Sequence, residues 1–570
     1  MKTFFLSLLT LAQLYINAQT DFVWAKRIGG TSVDFSNDIA TDANGNTYTT
    51  GYFRGTVDFD PGTDTFNLTS LDDKFFICKF DAEGNLLWAK TSGGSDNGSS
   101  QNLGKGIATD SYGNVYVTGS FSGDSITFEN NLLLFSSTAG DIFVVKYNSD
   151  GNVLWAKSAG GSSNCKAIST DINGNVFVTG QFNAITMNFG NDTLINSSPY
   201  NSDIFLAKYD SSGSVIWAKS AGGYGTATYK SEFSYGVSTD MNGNIFITGS
   251  FWTNTIIFGN DTLTNPNNSG PNSFIVKYNS FGNVIWAKSA GTGVNDYTRI
   301  SDDINGNIYL TGVFVLSMGF GNDTLTNNGG DDDIFIAKYD SLGNVLWAKS
   351  AGSTDNDYVS SKSISTDETG NVYITGDFRS STIDFGNDII TNSGGFDNGM
   401  LQPYSDLFIA KYDASGNFIW AKSAGANDGN DYCYGIATDI NGNAYVTGNF
   451  RGTTIGLGSD TLTNFGSNSS DIFIAKLGNA VGTEEGFVNK DLQFKIYPNP
   501  SNGNFNLIIS QFENLKMGKI KIYNVLGEMV YQSTINNPQS IIDLSKQPAG
   551  IYFIQAQTAE KTYTQKLIVE

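Results

Sequence analysis

The sequence predicts an all-β fold: a series of four-stranded sheets followed by a small Ig-like β-sandwich. Three observations predict it. A unit of four strand-like phrases returns along most of the 570 residues. The links inside each unit are short and rich in Gly, Asn and Asp, the residues of tight turns. The last stretch, 491–570, keeps strand character and drops the repeated phrases.

In the second unit the phrases are "KGIATD", "NVYVTGSF", "DIFVVKY" and "NVLWAKS", here strands a, b, c and d. Each is short, rich in Val, Ile, Tyr, Phe and Thr, and bounded by turn residues. The d phrase carries Trp24, Trp88, Trp155, Trp217, Trp286, Trp347 and Trp420, spaced 61 to 73 residues apart. The b phrase ends at Phe53, Phe121, Phe182, Phe251, Phe314, Phe378 and Phe450, and the a phrase at Asp42, Asp110, Asp171, Asp240, Asp303, Asp367 and Asp439. Some copies depart: the fifth a phrase reads "ISDD", and Lys74 and Asn272 replace the first Asp of strand c. The a–b and c–d links ("DSYGN", "NSDGN") read as hairpin turns with Gly at a positive φ. The b–c link is longer and in most units holds a small hairpin such as "TIIFGNDTLTN".

Strands b, c and d are apolar at successive positions, which predicts burial on both faces and sheets packed on sheets. Four-stranded units stacked radially make a β-propeller. The mature chain begins near "TDFVWAKRIGG", a d phrase with no c strand before it, while the last unit stops at "DIFIAKLG" and lacks its d strand. The expectation is seven blades, with the N-terminal strand completing the seventh and leaving no open sheet edge. The four phrases in fixed order over residues 21–477 resemble the SBBP-type β-propeller repeat family, which implies the propeller fold and no single activity.

The N-terminal "MKTFFLSLLTLAQLYINAQT" reads as a secretory signal peptide, residues 1–18, with its cleavage site near Ala18; no other long apolar segment suggests a transmembrane span. The propeller is expected over 19–477 and a linker over 478–490. In the tail, "YPNPSNGNF", "IKIYNVLGEMVY" and "IDLSKQPAGIYFI" resemble the type A C-terminal sorting domain of type IX secretion. The matching positions include Tyr497, Pro498, Asn499, Pro500, Gly503, Gly527, Pro548, Gly550 and Tyr552. That resemblance implies recognition by the type IX secretion machinery and a secreted or cell-surface location.

Composition excludes several activities. The formal net charge of −22 argues against nucleic acid as a partner, since phosphate binding needs a basic face. The chain has no His, which removes His-based triads, His-ligated zinc and the commonest general base. Cys78, Cys165 and Cys433 form no metal or disulfide spacing. An enzyme built on this chain would need paired carboxylates, as in glycoside hydrolysis.

The d–a and b–c loops share one face and vary most, so a ligand is expected there. Three d–a loops carry "NDY": Asp296–Tyr297, Asp357–Tyr358 and Asp431–Tyr432; Asp34 takes the matching place in the first. These carboxylates are expected to form a partial ring near the axis, of a chemistry that suits Ca²⁺, or simply to tie loop backbone. Trp252 and other loop aromatics, Tyr224, Tyr229, Phe233, Tyr235 and Tyr404 among them, suit stacking on a glycan or protein ligand. The Lys of "WAK" and "IAK" are expected to guard sheet edges and pair with Asp on neighbouring strands. The reading is a secreted or surface binding and adhesion module. The alternatives are a carboxylate-based polysaccharide hydrolase or lyase and a structural exoprotein.

Overall fold

The computed structural model describes residues 20–479, apart from 95–99, 135–139, 162, 199–200, 224–230, 266–269, 322, 330–331, 355–358, 387, 398–401 and 467–468. In the tail it describes 494–497, 501, 504–509, 518–524, 528–535, 539–548, 550–557 and 562–569. The described residues form an all-β molecule without a helix.

Each sequence copy folds as a four-stranded antiparallel sheet in the order a-b-c-d. In the third unit these are Ser163–Thr170, Val176–Phe182, Asp203–Tyr209 and Val215–Ala221. The small hairpin in the b–c link is present too, as Thr186–Phe189 against Asp192–Ile195. Its a–b turn shows why Asp recurs there. Asp171 accepts the backbone N–H of Asn173 and Asn175 on one oxygen and the Asn175 side-chain amide on the other. Gly174 closes the turn at φ 74°. The side chain thus satisfies turn donors that would otherwise be orphaned.

The last unit takes its fourth strand from the other end of the chain. Thr20–Gly30 pairs antiparallel with Asp471–Asn479, from Thr20 opposite Asn479 to Ile28 opposite Ile472. Its last two residues, Gly29 and Gly30, then pair with Asp58 and Val57 of the first unit. One strand therefore belongs to two sheets. Asp471–Asn479 runs two residues into the segment expected as linker.

Five of the seams between units, those of Trp24, Trp88, Trp155, Trp217 and Trp347, repeat one interaction set. The Trp155 indole donates to the Ser211 carbonyl in the next unit's c–d turn, 3.0 Å away. Lys146 on strand c reaches the same carbonyl at 3.3 Å. Gly213 of that turn lies so near the indole that a Cβ would come within 2.7 Å of it; with φ at 83° the position demands Gly on both counts. Trp24 makes the corresponding bond to the Ala82 carbonyl of the first unit, at 3.1 Å, so the closing seam is built like that of Trp155. The strand-c lysines are not edge guards as expected. Lys146 is buried, stacks over Tyr116 at 4.8 Å and faces Asp110 at 3.8 Å. It joins units because its long stem can be buried while its ammonium finds carbonyl and carboxylate partners.

The a strands meet in a closed cycle, each touching the next and the last touching the first. At their ends Thr hydroxyls link neighbours. Thr109 donates to the Thr41 carbonyl, Thr170 to Thr109, Thr239 to Thr170, Thr366 to Asp302, Thr438 to Thr366, and Thr41 back to Thr438. The one different link falls at the "ISDD" departure, where the Ser238 hydroxyl donates to the Asp302 carboxyl.

Burial on both faces holds for strands b and c: every residue of Asp203–Tyr209 is buried. It fails for strand d, where Leu154, Ile216, Leu346 and their counterparts are about half exposed. Strand d is the outer edge of its sheet, and only the Trp side faces the neighbouring unit. In the tail, two sheets pack around one core that includes Leu507, Ile522, Ile542, Ile554 and Leu567.

Candidate functional site

Backbone register decides which residues of the a strands are equivalent. The first position of strand a lies opposite the last Phe of strand b. It holds Asn102, Ser163, Glu232, Asn295, Val359 and Asp431 in units 2 to 7. Asp34 directly precedes Phe35, which pairs with Tyr52, and so falls at the same level. Asp34 and Asp431 of the expected carboxylate ring therefore do occupy matching places. Asp296 pairs with Val313, one residue beyond that level, and its side chain and that of Tyr297 lie outside the described residues. Asp357 and Tyr358 also lie outside them, as do Tyr224 and Tyr229. Glu232, which sequence spacing did not single out, fills the equivalent place.

These acids are buried and pair across seams. Asp34 accepts the Gly30 N–H at 2.9 Å, and burial, reinforced by the nearby Asp471 carboxylate, pushes its pKa up to about 8. Glu232 accepts the Thr253 hydroxyl; burial and then Asp203 push it up to about 8. Asp431 accepts the Ala426 N–H at 2.8 Å and is raised well above the usual carboxylate range by burial, with Asp406 adding to it. In each pair the second acid begins a strand c. Glu232 Oε2, Asp431 Oδ1 and Asp471 Oδ1 are buried without a hydrogen-bond partner. Among the described residues no three carboxylate, Cys or His side chains gather as a metal site. Asp34, Glu232 and Asp431 are 0% exposed, so a polysaccharide cannot reach them as an acid–base pair.

The half-buried side chains of strand a are a different set. Tyr432 and Tyr434 lie 5.9 Å apart, Tyr434 meets Phe35 at 6.4 Å, and Phe35 stacks on Tyr52 at 5.2 Å. This aromatic run crosses the closing seam. In the fourth unit Phe233 stacks on Tyr235, at 6.1 Å and 9°. Trp252 is half-buried, with its backbone N–H donated to the Ser231 carbonyl, and is not part of either stack. Tyr434 was missed because it is the residue displaced by the β-bulge between Cys433 and Gly435, and a bulge resets the alternation that sequence reading assumes; Phe35 and Tyr52 are brought together only by their cross-strand pairing.

A separate cavity of about 220 Å³ opens at the sixth-to-seventh seam, lined by Asp367, Tyr373, Lys411, Trp420, Gly442 and Leu477 among others. At the third seam Gly282 covers the Trp217 indole. The seventh unit has no c–d turn, because its d strand arrives from the N-terminus, and Trp420 borders the cavity instead.

In the tail, Tyr497 ends the strand Phe494–Tyr497 and Gly550 begins Gly550–Gln557. The buried Tyr552 donates its hydroxyl to the Pro548 carbonyl at 2.6 Å. Pro498, Asn499, Pro500, Gly503 and Gly527 lie outside the described residues.

Residues 23–52, 95–124 and 419–449 match the β-propeller repeat family, and 495–570 match the secretion system C-terminal sorting domain. The chain carries β-propeller repeats and a C-terminal sorting domain of type IX secretion. That domain marks it for the type IX machinery and for export to the cell surface or extracellular space. No helix among the described residues is long and apolar enough to cross a membrane.

An uncharacterized WD repeat-containing protein of Acanthamoeba polyphaga mimivirus is 25% identical over 76% of this chain and 36% of its own length. The regulatory protein FlaEY of Caulobacter vibrioides is 30% identical over 21% of this chain and 12% of its own. The chain thus spans well under two thirds of these relatives. Among solved structures, a protein of unknown function from Bacteroides caccae covers 61% of this chain and 89% of its own, with 10% identity and a TM-score of 0.29. An ulvan lyase covers 78% and 97%, with 10% identity and a TM-score of 0.37.

Proposed function

We propose that this chain is a secreted or cell-surface seven-bladed β-propeller that binds an extracellular glycan or protein. In this reading residues 1–18 are a cleaved signal peptide, 19–477 the propeller, 478–490 a linker, and 491–570 an Ig-like sandwich that serves export. The observation that carries the binding role is the run of half-buried aromatic rings across the closing seam, Tyr432, Tyr434, Phe35 and Tyr52. Such rings offer broad contact at low entropic cost. The seam carboxylates, sealed from substrate, favour binding over carboxylate catalysis.

Two experiments test the reading. Removing residues 491–570 is expected to leave the propeller inside the cell; secretion at the full-length level would refute the role given to the tail. The exported protein is expected to bind at least one member of a panel of glycans, matrix proteins and cell surfaces. Substituting Tyr434 and Phe35 by Ala should weaken that binding about tenfold or more. A silent panel would leave the structural exoprotein as the better reading.

A further inference from the structure

At six seams the Trp indole of one unit is covered by a glycine from the c–d turn of the next. A Cβ on Gly84, Gly151, Gly213, Gly282, Gly343 or Gly416 would come within 3.1 Å of the ring it faces. Two residues before that glycine, a turn carbonyl accepts from the strand-c lysine of the preceding unit. At five of these seams the same carbonyl also accepts the indole N–H. The turn itself reads Asp-x-x-Gly or Asn-x-x-Gly, and its glycine N–H donates to the carbonyl of the first residue, as from Gly213 to Asp210 at 3.0 Å. Its second residue packs on the a–b glycine of its own unit: a Cβ on Gly174 would lie 3.6 Å from that of Ser211.

The seam between the sixth and seventh units keeps the walls of this socket without the turn. Tyr373 stands across Trp420 with ring centres 6.3 Å apart, and its hydroxyl donates to the Gly442 carbonyl at 2.8 Å, as that of Tyr309 does to Gly370. Leu477 pairs with Ala444 as Tyr209 does with Val176, so Gly478 and Asn479 stand where Asp210 and Ser211 begin a turn. They continue as strand instead, opposite Asp21 and Thr20. Among the described residues no turn glycine meets the Trp420 ring, and no carbonyl accepts from its N–H. Lys411 meets the Asp367 carboxylate at 3.8 Å and the Tyr373 ring at 4.6 Å, and no carbonyl. The cavity of about 220 Å³ lies where the turn sits elsewhere, bordered by Trp420, Lys411, Tyr373, Gly442 and Gly478. Two donors that converge on one oxygen at five other seams face this cavity together, and a ligand that supplies the oxygen gains both bonds.

We propose that this seam is a docking socket for a glycine turn of another protein. The turn's backbone carbonyl sits between Trp420 and Lys411, and a glycine two residues on lies flat against the indole. Six filled copies of the same walls show that they fit a peptide turn of that kind. The occupant is not a c–d turn of a second copy, because all six such turns in this chain already lie on indoles of their own ring. The socket is apart from the aromatic run of the closing seam. Tyr432 stands near the start of Asp431–Thr438, whereas Gly442 lies in the turn beyond its end. The proposal therefore goes beyond the ligand reading and does not rest on it.

The test is calorimetric titration of the exported full chain with a backbone-cyclised peptide carrying Tyr209–Val215, the turn "YDSSGSV". The expected result is saturable binding at one site per chain. Lys411→Met should weaken it about tenfold or more, and Trp420→Phe, which keeps an aromatic ring and removes the N–H, about fivefold. A peptide with Gly213→Ala should not bind, because its Cβ would enter the indole and its backbone needs a positive φ. If Trp420→Phe fails to fold, the Lys411→Met and Gly213→Ala arms carry the test on their own. Absence of saturable binding, or equal binding by the Gly213→Ala peptide, overturns the socket. Self-association of the full chain that Lys411→Met abolishes would assign the seam to a second copy and overturn the partner as well.

Discussion

Deleting residues 19–29 is expected to lower the melting temperature of the whole propeller by roughly 5–10 °C. The segment supplies the fourth strand of the last unit and hands its final residues to the first. It buries Trp24, Ala25 and Ile28, at 9%, 6% and 0% exposure. At about 25 cal/mol per Å² those three side chains contribute roughly 8 kcal/mol before entropy losses. For a propeller of this size that corresponds to roughly 8 °C. Asp471 would also lose Arg27, its ion-pair partner at 2.9 Å, leaving a buried acid uncompensated. The loss should spread beyond one seam, because the bonds of Trp24 to Ala82 and of Thr41 to Thr438 both close the ring. A synthetic peptide of residues 19–30 should restore part of the stability by strand addition. An unchanged melting temperature in the deleted protein would mean that the strand is dispensable.

Stability is expected to fall as pH rises from about 4 to about 8. Asp34, Glu232 and Asp302 are held by burial at about 8, 8 and 7. In that window the folded chain keeps protons that the unfolded chain releases, so unfolding is favoured as pH rises. The fall should level off once the folded groups have ionised. Below that window the sign reverses. Asp413 and Asp340 of the c–d turns are pulled below the usual range by hydrogen bonds to Asn417 and Asn344, and protonating them breaks the turns. Glu232→Gln should flatten the slope and raise stability at pH 8.5 by about 1–3 kcal/mol, since the amide can donate where the carboxyl had a spare oxygen beside Asp203. Asp431→Asn should act likewise beside Asp406. Melting curves across pH 4 to 9 check both; a parent protein with flat stability through pH 5–8 would remove the basis of the argument.

The scaffold was legible in the sequence because each phrase has a job that only a few residues can do. Asp and Gly of "DINGN" are fixed by turn hydrogen bonds and a positive φ, as at Asp171 and Gly174. Trp of "WAK" is fixed by a seam that offers one carbonyl and one glycine. The absent d strand of the last unit was visible for the same reason. The candidate site was less legible, because it lies where the chain stops repeating. The d–a loops differ in length, so "NDY" phrases that look equivalent are not: Asp431 is at the first ladder position and Asp296 is one past it. Glu232 is equivalent to Asp431 through its pairing with Phe251, which loop spacing does not reveal. The register of the a strands was hidden by the bulge, which shifts one residue per strand off the period-two alternation. The exposed Leu154 looked like core because an apolar residue at a sheet's outer edge has no sequence mark of its own.

The pairing of Thr20 with Asn479 also defines how the molecule would respond to tension. Both ends of the ring leave from the same rung of one antiparallel ladder. A pull that separates the two ends loads a single rung at a time, like opening a zipper, and such ladders yield at low force. A pull on the C-terminal end alone, with the ligand face held, enters Asp471–Asn479 instead. That strand is hydrogen-bonded on both sides, to Ala444–Phe450 and to Thr20–Gly30, so the load is shared along two ladders in shear. A chain tethered through its tail while gripping a ligand would therefore be stressed in its strong direction, with the N-terminal strand serving as a brace.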